Sequence, residues 1–295
     1  MNNLKTKWDV LPKPIYDEWS NPISGYKQIV RTDKPDTLHV AKDTYYPIYN
    51  STFDSMANIL INEFGCVLID ASSFKNGKWV YAQFENNEFV DTVIPGDNNG
   101  RIKGYITLAN SHDGSLAFRL FSGIRRIFCQ NTFLIANKYF DNMVMSVKHT
   151  RNHSEKIDAL KEQFKDIATV QRDITKRMEA MSVNTTFEDP QSFAIDLHKL
   201  EKKPRPIKEK NEQTGGLTII DWTEPKYSTR GENIISKLVE TYDNYSDIDH
   251  SNWRMFNAVT DVVDHGLSLK QKNNGYHMFG TGNEIKVRAF NMLNN

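Results

Sequence analysis

Cysteine is scarce in this chain of 295 residues: Cys66 and Cys129 are the only two, both in apolar runs without CxxC spacing. That excludes a disulfide scaffold and a zinc knuckle, and leaves reduced, buried thiols. Net charge is absent as well. The 37 Lys and Arg balance 37 Asp and Glu, so no global field draws the chain to nucleic acid or membrane, and any such attraction has to be local. No apolar run reaches membrane-spanning length, and MNNLKTKWDV lacks the apolar centre of a signal peptide, which predicts a cytoplasmic protein. Phosphate-loop and dinucleotide fingerprints are missing too. Gly280-Thr281-Gly282-Asn283 is too short and has no strand before it, so no cofactor is expected.

What is present is organised around Tyr105 to Phe133. An alternating run (Tyr105, Thr107, Ala109 against Ile106, Leu108) breaks at Asn110-Ser111-His112-Asp113-Gly114. A second run follows through Leu116, Phe118 and Leu120, and a third carries Arg125, Arg126, Cys129, Gln130 and Asn131. Two alternating strands around a polar turn ending in Gly predict a hairpin.

The rest of the chain falls into order around it. Residues 1–25 are polar and proline-marked, with Trp8 and Trp19 as anchors, and read as an N-terminal arm. Strands are expected at Tyr26 to Arg31 and Thr37 to Ala41. A helix carrying Phe53, Met56, Ile59, Leu60 and Phe64 follows, offered N-caps by Asn50-Ser51-Thr52 and stopped by Gly65. More strands flank the Asn76-Gly77 turn. From Thr132 the period lengthens: Asn137 to His153 reads as helical, and a long helix over 154–182 carries Ile157, Leu160, Phe164, Ile167, Val170, Ile174, Met178 and Met181 on one stripe. That stripe packs either on the sheet or against a second subunit. Residues 201–216, charged and Pro- and Gly-containing, read as a mobile linker, and 217–295 as a mainly helical region. The expectation is an α+β fold: a mostly antiparallel sheet in the N-terminal half, within a core domain over 26–200, with a long amphipathic helix and a helical C-terminal part.

Three constellations invite chemistry. His112-Asp113-Gly114-Ser115 contains base, orienter and nucleophile types, yet triad members seldom adjoin in sequence, so a turn in which Asp113-Gly114 sets the geometry competes with catalysis. His149 and His153 have helical metal-ligand spacing but no intervening carboxylate, and no metal site is expected. The third is charge. Between Gly114 and Ser154 stand Arg119, Arg125, Arg126, Lys138, Lys148 and Arg151 against one acid, Asp141, with Phe118, Phe121, Phe128, Phe133 and Tyr139 interleaved. Cations contact phosphates and aromatics stack bases, so this segregation fits a nucleic-acid groove; a core with solvated arginines is the alternative.

Asn110-Ser111-His112-Asp113-Gly114-Ser115, Arg125 and Cys129-Gln130-Asn131-Thr132 resemble a family of phage- and plasmid-encoded proteins that carry only a domain-of-unknown-function label. Arg126-Ile127-Phe128-Cys129 stands where that family has Arg-Val-Val-Cys. Tyr26, Arg31-Thr32-Asp33, Tyr46 to Asn50, Trp253, Asn257 to Thr260, Asp264-His265, Gly280-Thr281-Gly282 and Lys286 extend the resemblance over residues 8–155 and 250–293. At the level of architecture, sheet followed by long helix is also similar to ring- or filament-forming single-strand annealing proteins of the RecT and Redβ kind. The family label itself carries no activity; the basic segregation together with these resemblances gives the expectation of a non-enzymatic, homo-oligomeric protein that binds single-stranded DNA in recombination or replication. Arg119, Arg125, Arg126, Lys138, Lys148 and Arg151 would then meet phosphates, Gln130 and Asn131 sugar or base edges, and His112, Asp113 and Gly114 would shape the groove. The competing expectations are a structural or host-interaction protein assembling through the long helix, and an enzyme using His112 and Asp113.

Overall fold

The computed structural model describes residues 7–126, 132–135, 144–164, 167–210, 217–266 and 281–295. The chain divides into two compact units, Met1–Ile94 with Gly100–Met178, and Pro95–Asn99 with Glu179–Asn295. The class is α+β, with antiparallel sheets in the N-terminal half and helices in the C-terminal part.

In the first unit, β1 (Val10–Tyr16), β2 (Pro22–Arg31) and β3 (Thr37–Lys42) form a three-stranded meander. The expected arm is therefore a strand, and Trp8 is buried ahead of it. Helix α1 (Asn50–Asn62) leads to a larger antiparallel sheet in the order β10-β8-β7-β5-β4. Its strands are β4 (Val67–Phe74), β5 (Trp79–Glu85), β7 (Arg101–Ser111), β8 (Phe118–Arg126) and β10 (Val144–Val147). The short β6 (Asp91–Val93) pairs with β7, and β9 (Thr132–Ile135) with β8. The predicted hairpin is β7–β8, in unbroken register from Ile102↔Arg126 to Ala109↔Arg119.

Alternation decides what faces the helices. Val80, Ala82 and Phe84 of β5, Ile106 and Leu108 of β7, and Phe118 and Leu120 of β8 share one core with Phe53, Met56 and Leu60 of α1 and with Val10, Ile29 and Leu38 of the meander. Each such side chain removed from water contributes about 1.5–3 kcal/mol. The stripe expected on a single helix over 154–182 is carried by α2 (His153–Gln163) and α3 (Ile167–Val183); residues 165 and 166 lie outside the described residues. Ile157, Phe164 and Ile167 join the same core, and Ile174, Met178 and Met181 are buried as well. These six positions of the stripe are covered within the chain itself, and Val170 is half-buried.

Two assignments change. The helix expected over Asn137 to His153 contains β10, where Met145-Ser146-Val147 pairs with Phe118 to Leu120; short apolar runs carry too few residues to separate period two from 3.6. In the second unit, the expected linker contains β11 (Pro206–Lys210), which pairs with β12 (Leu217–Trp222), so 206–210 and 217–222 are a hairpin stem. Residues 211–216 lie outside the described residues. The unit's helices, α4 (Pro190–His198), α5 (Thr229–Asn244), α6 (Asn252–Asp264) and α7 (Thr281–Leu293), pack on one another, with the Phe256 and Phe290 rings 5.5 Å apart.

Candidate functional site

The His112 turn sits in a buried polar assembly of the first unit that is built from the N-terminus inward. Asp9 crosses 41 residues of sequence to accept from the N–H of Asn50 over 2.8 Å, and it also accepts from Ser51 over 3.2 Å. A carboxylate on the free N–H groups of a helix start both satisfies donors and complements the dipole. Asn50, expected as a cap, instead donates its amide to the Trp8 carbonyl (3.0 Å), which turns its Oδ1 toward His112. His112 Nε2 donates to that oxygen over 2.9 Å, so the neutral ring carries its proton on Nε2. The ring is fully buried, lies edge-on to Trp8 with centroids 5.6 Å apart, and its Nδ1 has no hydrogen-bond partner among the described residues. Burial, reinforced by the nearby His149, holds its pKa down at about 4.

His149 repeats the pattern. Its Nδ1 accepts from the Ile48 N–H (3.3 Å), its Nε2 donates to the Leu116 carbonyl (3.1 Å), and Tyr45 stacks on it at 4.9 Å. Burial also pushes its pKa down. Asp113 does not face His112; its carboxylate accepts from the N–H and hydroxyl of Ser115, and Gly114 takes φ +71° to close the turn. No base–orienter–nucleophile relay runs through His112, Asp113 and Ser115. Of the two histidines at metal-ligand spacing, His149 is committed to two backbone groups, and His153 Nδ1 meets the Thr150 carbonyl.

The expected basic groove is taken apart by the alternation of β8. Arg119 and Arg125 share a face but sit six residues, about 20 Å, apart. Arg126 falls on the other face and is only 2% exposed, so it cannot serve as a phosphate contact. Arg125 pairs with Glu85 over 3.3 Å, and Glu85 is also within 3.8 Å of Lys103. Arg119 is half-buried with its guanidinium 5.9 Å over the Phe121 ring, and burial lowers its pKa. Lys148 and Arg151 are exposed. Gln130, Asn131 and Lys138 lie outside the described residues.

An open surface that the sequence reading passed over belongs to the meander. Direct partners across its strands are Lys13↔Gln28, Gln28↔Val40 and Tyr26↔Lys42, with Leu11↔Val30 beside them, so these side chains share one face, on which Val30 is buried and Gln28 half-buried. The opposite face buries Val10, Ile29 and Ala41. On the open face Leu11, Lys13, Tyr26, Val40 and Lys42 are exposed, and the β1–β2 end adds Tyr16 and Trp19, at 56% and 74% exposure. The three strands hold Lys13, Lys27, Arg31 and Lys42 but no Asp or Glu; every acid of the meander is in a turn or flank. Lys13 and Lys42 have no ion pair among the described residues. Pro12 and Pro14 remove donors from the β1 edge, which blocks addition of another strand there and leaves the face as the means of contact. The visible signal was the coincidence of Tyr16, Trp19 and Tyr26 with acid-free strands.

The frame behind this surface is pinned by Arg31. Its guanidinium lies 4.0 Å over the Trp8 ring, forms a fork with Asp33 (2.8 and 2.7 Å), and donates to the Asn76 carbonyl. The second unit has its own buried polar set. Trp253 donates to Asp97 (2.8 Å), Asn257 to the Trp253 carbonyl, and Lys286, 1% exposed, is ion-paired with Asp264. Desolvation lowers the Lys286 pKa while Asp264 opposes that shift. No described helix is long and apolar enough to cross a membrane.

Among curated proteins and among solved structures nothing matches this chain. A family model does, over residues 37–279, most of the chain and all of it from β3 onward except the last residues, and by that match the chain belongs to the DUF932 family, a domain of unknown function.

Proposed function

We propose that this protein binds single-stranded nucleic acid, DNA in the first instance, on the open face of its N-terminal meander. The observation that carries the reading is an acid-free sheet face presenting Tyr26 beside Lys42 and Lys13, with Tyr16 and Trp19 at its end. Exposed aromatics stack unpaired bases irrespective of sequence, at about 1–3 kcal/mol per base, and unpaired lysines neutralise phosphates. Lys148 and Arg151 are available for further phosphate contacts elsewhere in the unit. A phage-type protein that holds strands for annealing in recombination or replication, as a cytoplasmic homo-oligomer, is the biological setting that the sequence resemblance favours.

The test is fluorescence anisotropy of a labelled single-stranded oligonucleotide across a salt titration, with particle size followed in parallel. The parent should bind with log affinity falling linearly in log salt. Lys13→Glu/Lys42→Glu should flatten the slope by roughly 1.4, which is 0.7 for each lost phosphate contact. Trp19→Ala/Tyr26→Ala should weaken binding at every salt concentration while leaving the slope unchanged. Parental binding by both variants would end the proposal for this face. Exposed Leu11, Ile23 and Val40 favour one alternative, a protein partner or a second copy on the same face. That alternative predicts no oligonucleotide binding at low salt and an oligomer that Trp19→Ala/Tyr26→Ala dissociates.

A further inference from the structure

The segment that reads as a linker in sequence contributes to a cluster of cations in the second unit, and we infer that this site binds a phosphate group. A cavity of about 270 Å³ lies beside the end of α4 and the start of α5, lined by Lys199, Lys203, Arg205, Lys226, Tyr227 and Ser228, with Glu201 as the acid among its lining residues. Glu201 is engaged by Lys203 at 3.1 Å, which leaves Lys199, Arg205 and Lys226 without an anionic partner among the described residues.

The backbone enforces this concentration. Lys203 and Lys226 are direct antiparallel partners, with N–H···O bonds of 3.0 and 3.3 Å running both ways. Like charges placed directly opposite one another destabilise a strand pair, and an anion between them reverses that sign. Arg205 is fixed just beyond, through its N–H to Thr223 Oγ1 (3.0 Å) and its carbonyl from the Thr223 N–H (2.9 Å). Lys199 occupies the left-handed region (φ 50°) at the end of α4, where glycine is the ordinary residue. A side chain kept at that backbone cost points to a use for its charge. Ser228 already caps Gly231 at the start of α5, so the cations and not the helix end are the recognition elements.

The charge selects the ligand. Three unpaired cations exceed what one carboxylate neutralises, and an arginine fork beside two ammonium groups matches the oxygens of a phosphate. The cavity exceeds a bare ion in size, and Tyr227, with Lys202 5.3 Å over its ring, offers a flat wall for a group attached to that phosphate.

This inference rests on residues other than those of the proposed single-strand face, and its test separates the two. Titration of the full chain with inorganic phosphate at constant ionic strength, read by isothermal calorimetry with chloride as control, should show saturable binding. Lys203→Gln/Lys226→Gln should weaken it at least tenfold, and so should Arg205→Gln; circular dichroism should show both variants folded, since the pairing is through backbone. Lys13→Glu/Lys42→Glu should leave phosphate binding at parental strength. Competition by a single-stranded oligonucleotide would assign the site to a nucleic-acid phosphate, and saturable phosphate binding without such competition would assign it to a free phosphate or phosphorylated small molecule; either supports the site. Absence of saturable binding, or parental binding by Lys203→Gln/Lys226→Gln, overturns it.

Discussion

Acidification should loosen the first unit through His112, and the size of the effect follows from the structure. The ring is fully buried, its Nε2 proton is used on Asn50, and its pKa is held at about 4 against 6.5 in an unfolded chain. Burial is the main cause, and the repulsion from His149 and Arg31 adds to it, against the opposing charges of Asp9 and Asp113. Because the folded value is depressed, the unfolded chain takes up the proton first. The contribution is fully present above pH 6.5 and lost as pH falls toward 4. Over the whole window the loss is about 3 kcal/mol, and at pH 5, where the unfolded ring is nearly all protonated and the folded ring about one-tenth so, it is about 2 kcal/mol. His149 is shifted the same way, so the measured loss should be no smaller. Urea unfolding at pH 7.5 and pH 5, followed by a probe in the first unit, gives the loss. His112→Gln lowers stability at both pH values but should shrink the difference between them by about 2 kcal/mol. Ring ¹⁵N spectra should show His112 as the neutral Nε2–H form at pH 6. A His112 pKa at or above 6, or an unchanged pH dependence in His112→Gln, would refute this account.

Two further substitutions probe the frames of the two units. Gly77 has φ +90°, and a Cβ there would stand 2.7 Å from Arg31 Nη1 and 2.9 Å from the Trp8 ring, so Gly77→Ala should cost about 2–3 kcal/mol and perturb the fluorescence of Trp8; a loss under about 0.5 kcal/mol would show that the Trp8–Arg31 stack yields freely. In the second unit, Asp264→Ala takes the carboxylate away from the buried Lys286 ammonium and should cost about 3–5 kcal/mol in urea unfolding, whereas Lys286→Met with Asp264→Leu should recover most of it; equal losses in the two variants would show that the ion pair carries no desolvation cost.

How far the sequence foretells this molecule depends on the range of the interaction involved. The alternation of Tyr105, Thr107 and Ala109 is local, and it places the β7–β8 hairpin correctly. The helical period of Ile157 through Met181 is local too, and its burial follows. Asp9 on the N-terminus of α1 is not local: nothing near Asn50 announces a partner 41 residues away, so Asn50-Ser51-Thr52 reads as self-capping and the N-terminal residues as an arm. The linker is misread for another reason. Its prolines and charges dominate the composition, while the β pattern of Ile207 becomes legible only with Ile219 and Trp222 across the stem. The basic groove fails on a rule that was in plain view. Adjacent residues on a strand face opposite ways, so Arg125 and Arg126 could never have lined one groove once β8 was accepted as a strand.

That failure indicates where recognition should be sought. Several of the residues by which the chain resembles its family, Asn50, Asn110, His112, Trp253, Asn257 and Lys286 among them, are buried, and their polar atoms orient backbone and one another. Such residues define a shared frame and say little about what the frame presents. Free charge and aromatic area are presented by other groups: Tyr16, Trp19 and Tyr26 on a hairpin ahead of the matched residues 37–279, and Lys199, Arg205 and Lys226 around a cavity far along the chain. A ligand can be held only by groups whose hydrogen-bonding and electrostatic capacity is unspent, and in the His112 hub that capacity is largely consumed by Asn50, Trp8, Leu116 and Ile48. The open meander face and the basic cavity, with lysines unpaired and aromatic rings in contact with solvent, retain theirs.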